Sequence, residues 1–169
     1  MAVSLPELDE LLRDAQRRAL HLELRDFYAG SAAFAAWTAG TPYDRSTGDG
    51  QWHALVAPLV AHGVDVRRLR VVSEPVSAYI RFEHEVTPAA NLAAGERVRW
   101  LPRHRASDLA FPGNDFWLVD DRLLVNHFSG DGDWIGVELS TDAGAVTFCA
   151  WAFEAAWERG IDHDAYRPG

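Results

Sequence analysis

Apolar residues along this 169-residue chain change period several times, and each change marks an element. Leu5, Leu8, Leu12, Ala15 and Ala19 recur at helical spacing and predict an N-terminal helix that fades near Arg18. Ser4 and Glu7 form a capping box at its start. Leu20, Leu22 and Leu24 then alternate with His21, Glu23 and Arg25, the period of a half-buried strand. A small-residue helix over 31–39 carries Phe34 and Trp37 and closes at Gly40. Residues 41–50 hold Pro42, Gly48, Gly50 and two aspartates, which predicts a mobile loop. A helix over 51–61 follows, with Trp52, Leu55, Val56, Leu59 and Val60 on one face and Gly63 just past its end.

From residue 64 the pattern becomes richer in strands. Val64, Val66, Leu69, Val71 and Val72 supply the apolar side chains of a strand over 64–72. Ser73-Glu74-Pro75 starts a helix with proline in the first turn, where its missing N–H costs nothing. Val76, Tyr79, Ile80 and Glu83 share one face of that helix. A carboxylate on an apolar stripe must be paired or neutralised, so Glu83 is expected to bridge to an arginine of a neighbouring element. Pro88 predicts a kink before Asn91, and Gly95 an end. A short strand over 98–101 leaves into a loop over 102–113. The stretch 114–134 reads as strand 116–119, a tight Asp120-Asp121 turn, strand 123–128 and a Gly/Asp turn, with a third strand over 134–139. It gathers Asp115, Asp120, Asp121, Asn126 and His127 at strand ends. Ser140 or Thr141 caps a closing helix whose stripe is Val146, Cys149, Phe153 and Trp157 and whose end is Gly160; residues 162–169 read as a tail. The pattern is a single α/β domain over 1–169, with a central mixed sheet of about five to seven strands and helices packed on it. Residues 1–63 form a mostly helical N-terminal part; residues 64–169 form the sheet core and C-terminal helix.

Composition narrows the chemistry. The formal charge of −9 argues against a nonspecific nucleic-acid binder, because phosphate contacts need clustered cations. Arg67, Arg68 and Arg70, and the second run Arg97, Arg99, Arg103 and Arg105, read as a solvated face or as ion-pair partners. All sixteen basic residues are arginine, which excludes Schiff-base chemistry and a phosphate-loop lysine. Cys149 is the single cysteine and reads as a buried structural thiol. No N-terminal basic segment precedes an apolar core and no run approaches a membrane span, so a cytoplasmic protein without membrane contact is expected. The seven histidines occur singly, and Glu83-His84-Glu85 places its side chains around a helix. Asp131-Gly132-Asp133 fails as a calcium loop, because Ile135 and Asp142 stand where ligands are needed. No nucleophile elbow, dinucleotide fingerprint or phosphate loop is present, and neither metal nor cofactor is expected.

Arg70-Val71-Val72-Ser73-Glu74-Pro75, Tyr79-Ile80-Arg81-Phe82-Glu83, Asn91-Leu92-Ala93-Ala94-Gly95-Glu96 and Asp115-Phe116-Trp117-Leu118-Val119-Asp120-Asp121 occur in one order. With them the chain resembles an actinobacterial domain-of-unknown-function family abundant in Streptomyces, over nearly its whole length. Members are often encoded beside helix-turn-helix regulators. The resemblance therefore implies a regulatory accessory role with such a regulator, a sibling subunit or a second copy, and carries over no catalytic residue. A more distant similarity concerns fold: the order of elements up to Asp120-Asp121 looks like half of a phospholipase-D-type domain. There a catalytic His-x-Lys strand precedes such a turn. This chain has no lysine and no histidine at that strand's start, which implies that the active site is absent.

Two readings follow. The first is a noncatalytic regulatory or binding protein whose cleft holds a small molecule, with Tyr79, Arg81, Glu83, Trp100, Arg103, Asp115, Trp117 and His127 as lining candidates. The second is a small hydrolase or transferase using Glu83, Asp120, Asp121 or His127. An enzyme needs at least two of these within hydrogen-bond reach in a concave pocket, with shifted pKa values. Direct nucleic-acid binding, which needs both arginine runs on one face, is the least favoured.

Overall fold

The computed structural model describes residues 5–169; Ser4, and with it the expected capping box, lies outside them. The chain runs α1 (Leu5–Arg13), β1 (Arg18–Glu23), α2 (Ala32–Ala39), α3 (Ser46–Ala61), β2 (Asp65–Val72) and α4 (Ala78–Ala90). It continues with β3 (Arg97–Pro102), β4 (Phe116–Val119), β5 (Arg122–Phe128), β6 (Trp134–Ser140), α5 (Ala143–Arg159) and β7 (Ile161–Asp162). The strands form one mixed sheet in the order β6-β5-β4-β1-β2-β3-β7. β1, β2 and β3 are parallel, so their connections must cross over, and α2–α3 and α4 are those crossovers. β4 is antiparallel to β1, and β5 and β6 continue it as a meander.

Helices cover both faces of this single α/β domain. On one face Leu20, Leu22, Leu69, Val71, Phe116 and Leu118 meet the α5 stripe of Val146, Cys149, Phe153 and Trp157. On the other, Ala19, Val66, Trp117, Val119 and Leu124 meet Leu12 of α1 and Leu55, Val56 and Leu59 of α3. Beside them Val72, Val98 and Trp100 pack under Tyr79 and Ile80 of α4. The alternating polar residues of β1 are therefore not on a solvent face. Glu23 is only 8% exposed.

Several boundaries differ from the sequence expectations for local reasons. α1 stops at Arg13, because the amides of Gln16, Arg17 and Arg18 are drawn to the Asp120 carboxylate (3.0, 2.9 and 3.1 Å). Half of the expected 41–50 loop is helical: α3 starts at Ser46, whose amide donates to Asp44. The segment at Ser73-Glu74-Pro75 is a turn with a cis Glu74–Pro75 bond; α4 begins only at Ala78, capped by Ser77 accepting from the Ile80 amide (3.1 Å). Pro88 lies inside α4 without ending it. Asp142, not Ser140 or Thr141, caps α5 through the Ala145 amide (2.8 Å). The expected tail is part of the fold: β7 pairs with β3, and Tyr166 stacks on Trp100 at 5.5 Å.

Asp120 has a left-handed backbone (φ 52°) and holds the β4–β5 turn to the start of β1. Its neighbour Asp121 is exposed and pairs with Arg17 (2.6 Å). Urea denaturation should show Asp120→Ala losing about 2–3 kcal/mol, the scale of charge-assisted bonds to backbone, with Asp121→Ala nearly neutral. Equal losses from the two variants would contradict this division of roles.

Candidate functional site

The register of the central strands places charge on one face. His21 lies beside Arg68 and Glu23 beside Arg70 across β1–β2; His21 also pairs with Trp117 of β4, and Arg70 with Trp100 of β3. Side chains alternate, so these residues share the face under α3 and α4. There they form a continuous ionic chain. Arg68 Nε donates to Glu96 Oε1 (2.7 Å) and its Nη1 to Glu23. Arg70 Nε donates to Glu23 Oε2, its Nη1 to Thr87 Oγ1 and its Nη2 to Glu83 Oε2, each at 2.7 Å. The arginine partner expected of Glu83 is thus Arg70. Glu96 Oε2 also accepts from Trp52 Nε1 (3.0 Å) and Asn91 Nδ2 (2.7 Å). Trp52 and Trp117 face the Arg68 guanidinium at 5.7 and 5.5 Å, and Trp100 faces Arg70 at 4.9 Å, in cation–π geometry.

Burial alone would raise the Glu23 pKa, but Arg70 and then Arg68 outweigh it and hold the carboxyl well below its usual range. His21 stacks on Trp117 at 4.2 Å. Burial, reinforced by Arg68 and opposed by Glu23, keeps its imidazole neutral. Its Nδ1 lies 3.4 Å from Glu23 Oε1 and makes no hydrogen bond. Across the cleft, Asp115 accepts the Leu24 amide (2.9 Å) and the Tyr28 hydroxyl. Burial pushes Asp115 up to about 6 against those two donors. The Tyr28 and Tyr79 hydroxyls are both pushed upward, first by burial and then by nearby carboxylates.

Two cavities open on this chain. The smaller, about 310 Å³, is walled by Tyr28, Trp117, Phe128 and Trp134 around His21 and Glu23. The larger, about 590 Å³, lies under α2 and the start of α3 against Tyr43, Arg45, Asp49 and Trp52. Arg68 and Glu83 line both and join them into one cleft.

Of the residues singled out from sequence, Tyr79, Glu83, Asp115 and Trp117 line the smaller cavity. Arg81 is exposed on α4. Trp100 is fully buried, with Nε1 donating to His163 Nδ1 (3.1 Å). Arg103 clasps strand ends by donating to the Leu24 and Val71 carbonyls (2.6 and 3.0 Å). His127 alternates with the cavity-lining Asn126 and so points to the other face of β5, 3.5 Å from Glu138. Asp120 and Asp121 sit beside the start of β1, at the opposite end from Glu23. Glu83, the Asp120–Asp121 turn and His127 therefore stand apart. Sequence reasoning passed over His21, Glu23, Tyr28, Arg68, Arg70 and Glu96. The usable signal was the polar alternation of β1 beside an arginine-rich strand. Among the described residues, no group of three or more His, Cys, Asp or Glu side chains is placed to hold a metal ion. Nor is any helix among them long and apolar enough to cross a membrane.

One family model, described as a domain of unknown function (DUF6879), matches residues 6–168. The chain belongs to that family. The DUF6879 match names no activity, organism group or partner, and no curated protein matches the chain. Among solved structures, Nuc, a phospholipase D family member from Salmonella typhimurium, superposes with a TM-score of 0.51 at 14% identity. That likeness covers 96% of this chain and 90% of Nuc, and it shows a distant phospholipase-D-like fold and nothing of activity. TrmBL2, an archaeal chromatin protein whose structure is described as showing a novel mode of DNA binding, matches 92% of this chain at 13% identity with a TM-score of 0.49. The DUF6879 chain spans about half (48%) of that protein. This neighbour corrects the partner expectation: the low rank given to nucleic acid on net charge is withdrawn. A likeness at that level carries nothing further.

Asp115 yields a pH test with a defined sign. Its folded pKa is raised from 3.8 to about 6, so the folded state holds its proton more tightly than the unfolded chain does. Its contribution is fully present below pH 3.8 and is lost as pH rises through about 6. The unfolding free energy of the wild type minus that of Asp115→Asn should therefore fall across this window. A flat or rising difference would contradict the burial of this carboxyl.

Proposed function

We propose that this chain is a noncatalytic binding protein that holds a small molecule in the cleft between α2–α4 and the sheet. The observation that carries the reading is the junction at Arg68 and Glu83 of two cavities walled by aromatic rings. Their volumes, about 310 and 590 Å³, lie in the range of ordinary small-ligand sites. The polar groups that meet there are already fixed by one another, as a preorganised site requires. The dispersal of Glu83, Asp120, Asp121 and His127 favours this reading over a hydrolase or transferase built on them. Cys149, the one thiol, is buried on the sheet-facing side of α5, against the opposite face of the sheet.

The tryptophan indoles report on the cleft directly. Trp52, Trp117 and Trp134 line the cavities, whereas Trp151 and Trp157 belong to α5. Titration with a panel of amines, amino acids, sugars and nucleosides, followed by indole N–H resonances, should move the first three signals and leave the α5 pair in place. A panel that moves none of the three, or moves only the α5 pair, would remove the reading.

A further inference from the structure

The charges of the smaller cavity and of the ionic chain that adjoins it do not balance. Glu23, Glu83, Glu96 and Asp115 present four carboxylates. Two guanidiniums, Arg68 and Arg70, reach the three glutamates directly but not Asp115, and a third, Arg25, lies over the Phe128 ring at 5.2 Å. His21 sits among them neutral. Even with Arg25 counted, the site keeps an excess negative charge above the Asp115 pKa. A desolvated carboxylate without a counter-charge is costly and takes up either a proton or a cation. Glu83 is the place where a cation can arrive. Its side chain is 20% exposed, against 11% for Glu23 and 0% for Glu96, and Arg70 engages it through Oε2. The cavity that it lines is walled by the rings of Tyr28, Trp117, Phe128 and Trp134. Aromatic faces attract cations and repel anions.

We infer that the ligand of this cleft is a small organic cation, an amine on a planar or aliphatic body, with its ammonium beside Glu83 and its body against the Trp117 and Phe128 rings. The inference rests on the ligand-binding reading above and adds the sign of the ligand's charge. An anion entering the same space would meet the excess carboxylate, and a neutral sugar would leave that excess uncompensated.

The test is isothermal titration of the full chain at pH 8 with tyramine and with 4-hydroxyphenylacetate, which share a ring and differ in charge. Tyramine should bind at least about tenfold more tightly, and Glu83→Gln should lose about tenfold of that affinity while keeping the wild-type circular dichroism. Trp134→Ala, at the exposed mouth and outside the ionic chain, should also weaken tyramine and guards against a fold defect in the first variant. Equal or tighter binding of the carboxylate overturns the cation inference; if it moves the Trp117 and Trp134 indoles, ligand binding in the cleft survives. No binding of either probe at millimolar concentration also overturns the cation inference. The neutral members of the wider panel then decide separately whether the ligand-binding reading stands.

Discussion

The interaction on which the rest depends is the ionic chain from Glu96 through Arg68, Glu23 and Arg70 to Glu83. It lies across the two central parallel strands, where a doubly covered sheet ordinarily packs Val, Ile and Leu. Charged groups survive there only if each meets a partner, because the desolvation of either sign alone costs several kcal/mol. That requirement fixes neighbouring elements. α4 must bring Glu83 and Thr87 onto Arg70, and the segment before β3 must bring Glu96 onto Arg68. Trp52 of α3 closes the far end. The cleft is the space these partners leave, so its shape and its charge share one origin.

Such a chain is a poor device for stability alone. Apolar residues of similar volume in a sheet core are often as stabilising or better, since they carry no desolvation cost. Here the apolar layer beneath α5 already supplies that packing on the opposite face, from Leu20 and Leu69 to Phe153. Binding is the natural use for groups that are costly to bury yet held in place. Guanidiniums fixed between indole faces and carboxylates cannot relax toward a wrong ligand.

Much of the sheet was legible in the sequence, and little of the site was. The β4–β5–β6 meander and the α5 stripe follow from period and turn residues, which are local signals. Glu83 was legible because a carboxylate on an apolar helix stripe demands a partner. Arg68 and Arg70 read as a solvated face or as ion-pair partners, and the second is what they are. That they are buried, like His21 and Glu23 on the wet side of a half-buried strand, was not legible, because one strand's alternation does not say what covers its polar face. The crossovers through α2–α3 and α4, together with α1, bury that face. Trp100 and Arg103 were drawn away from the cleft by nonlocal partners, His163 for one and the carbonyls of Leu24 and Val71 for the other. The C-terminal residues read as a tail because the Trp100–Tyr166 stack that fixes them spans distant parts of the chain.

The most direct test of the central claim is the unfolding free energy of Glu23→Leu alone and in combination with Arg70→Met. Removing Glu23 by itself takes the shared carboxylate from two buried guanidiniums, leaving Arg68 only Glu96 and Arg70 only Glu83, and should cost about 3 kcal/mol. Replacing both partners leaves Arg68 paired with Glu96 and leaves Glu83, the most exposed of the three glutamates, to turn to solvent. It should recover most of that loss, as expected if the chain is kept for binding and not for folding. A double variant as unstable as the single one, or less stable, would show that the ionic chain holds the fold itself and would contradict the account.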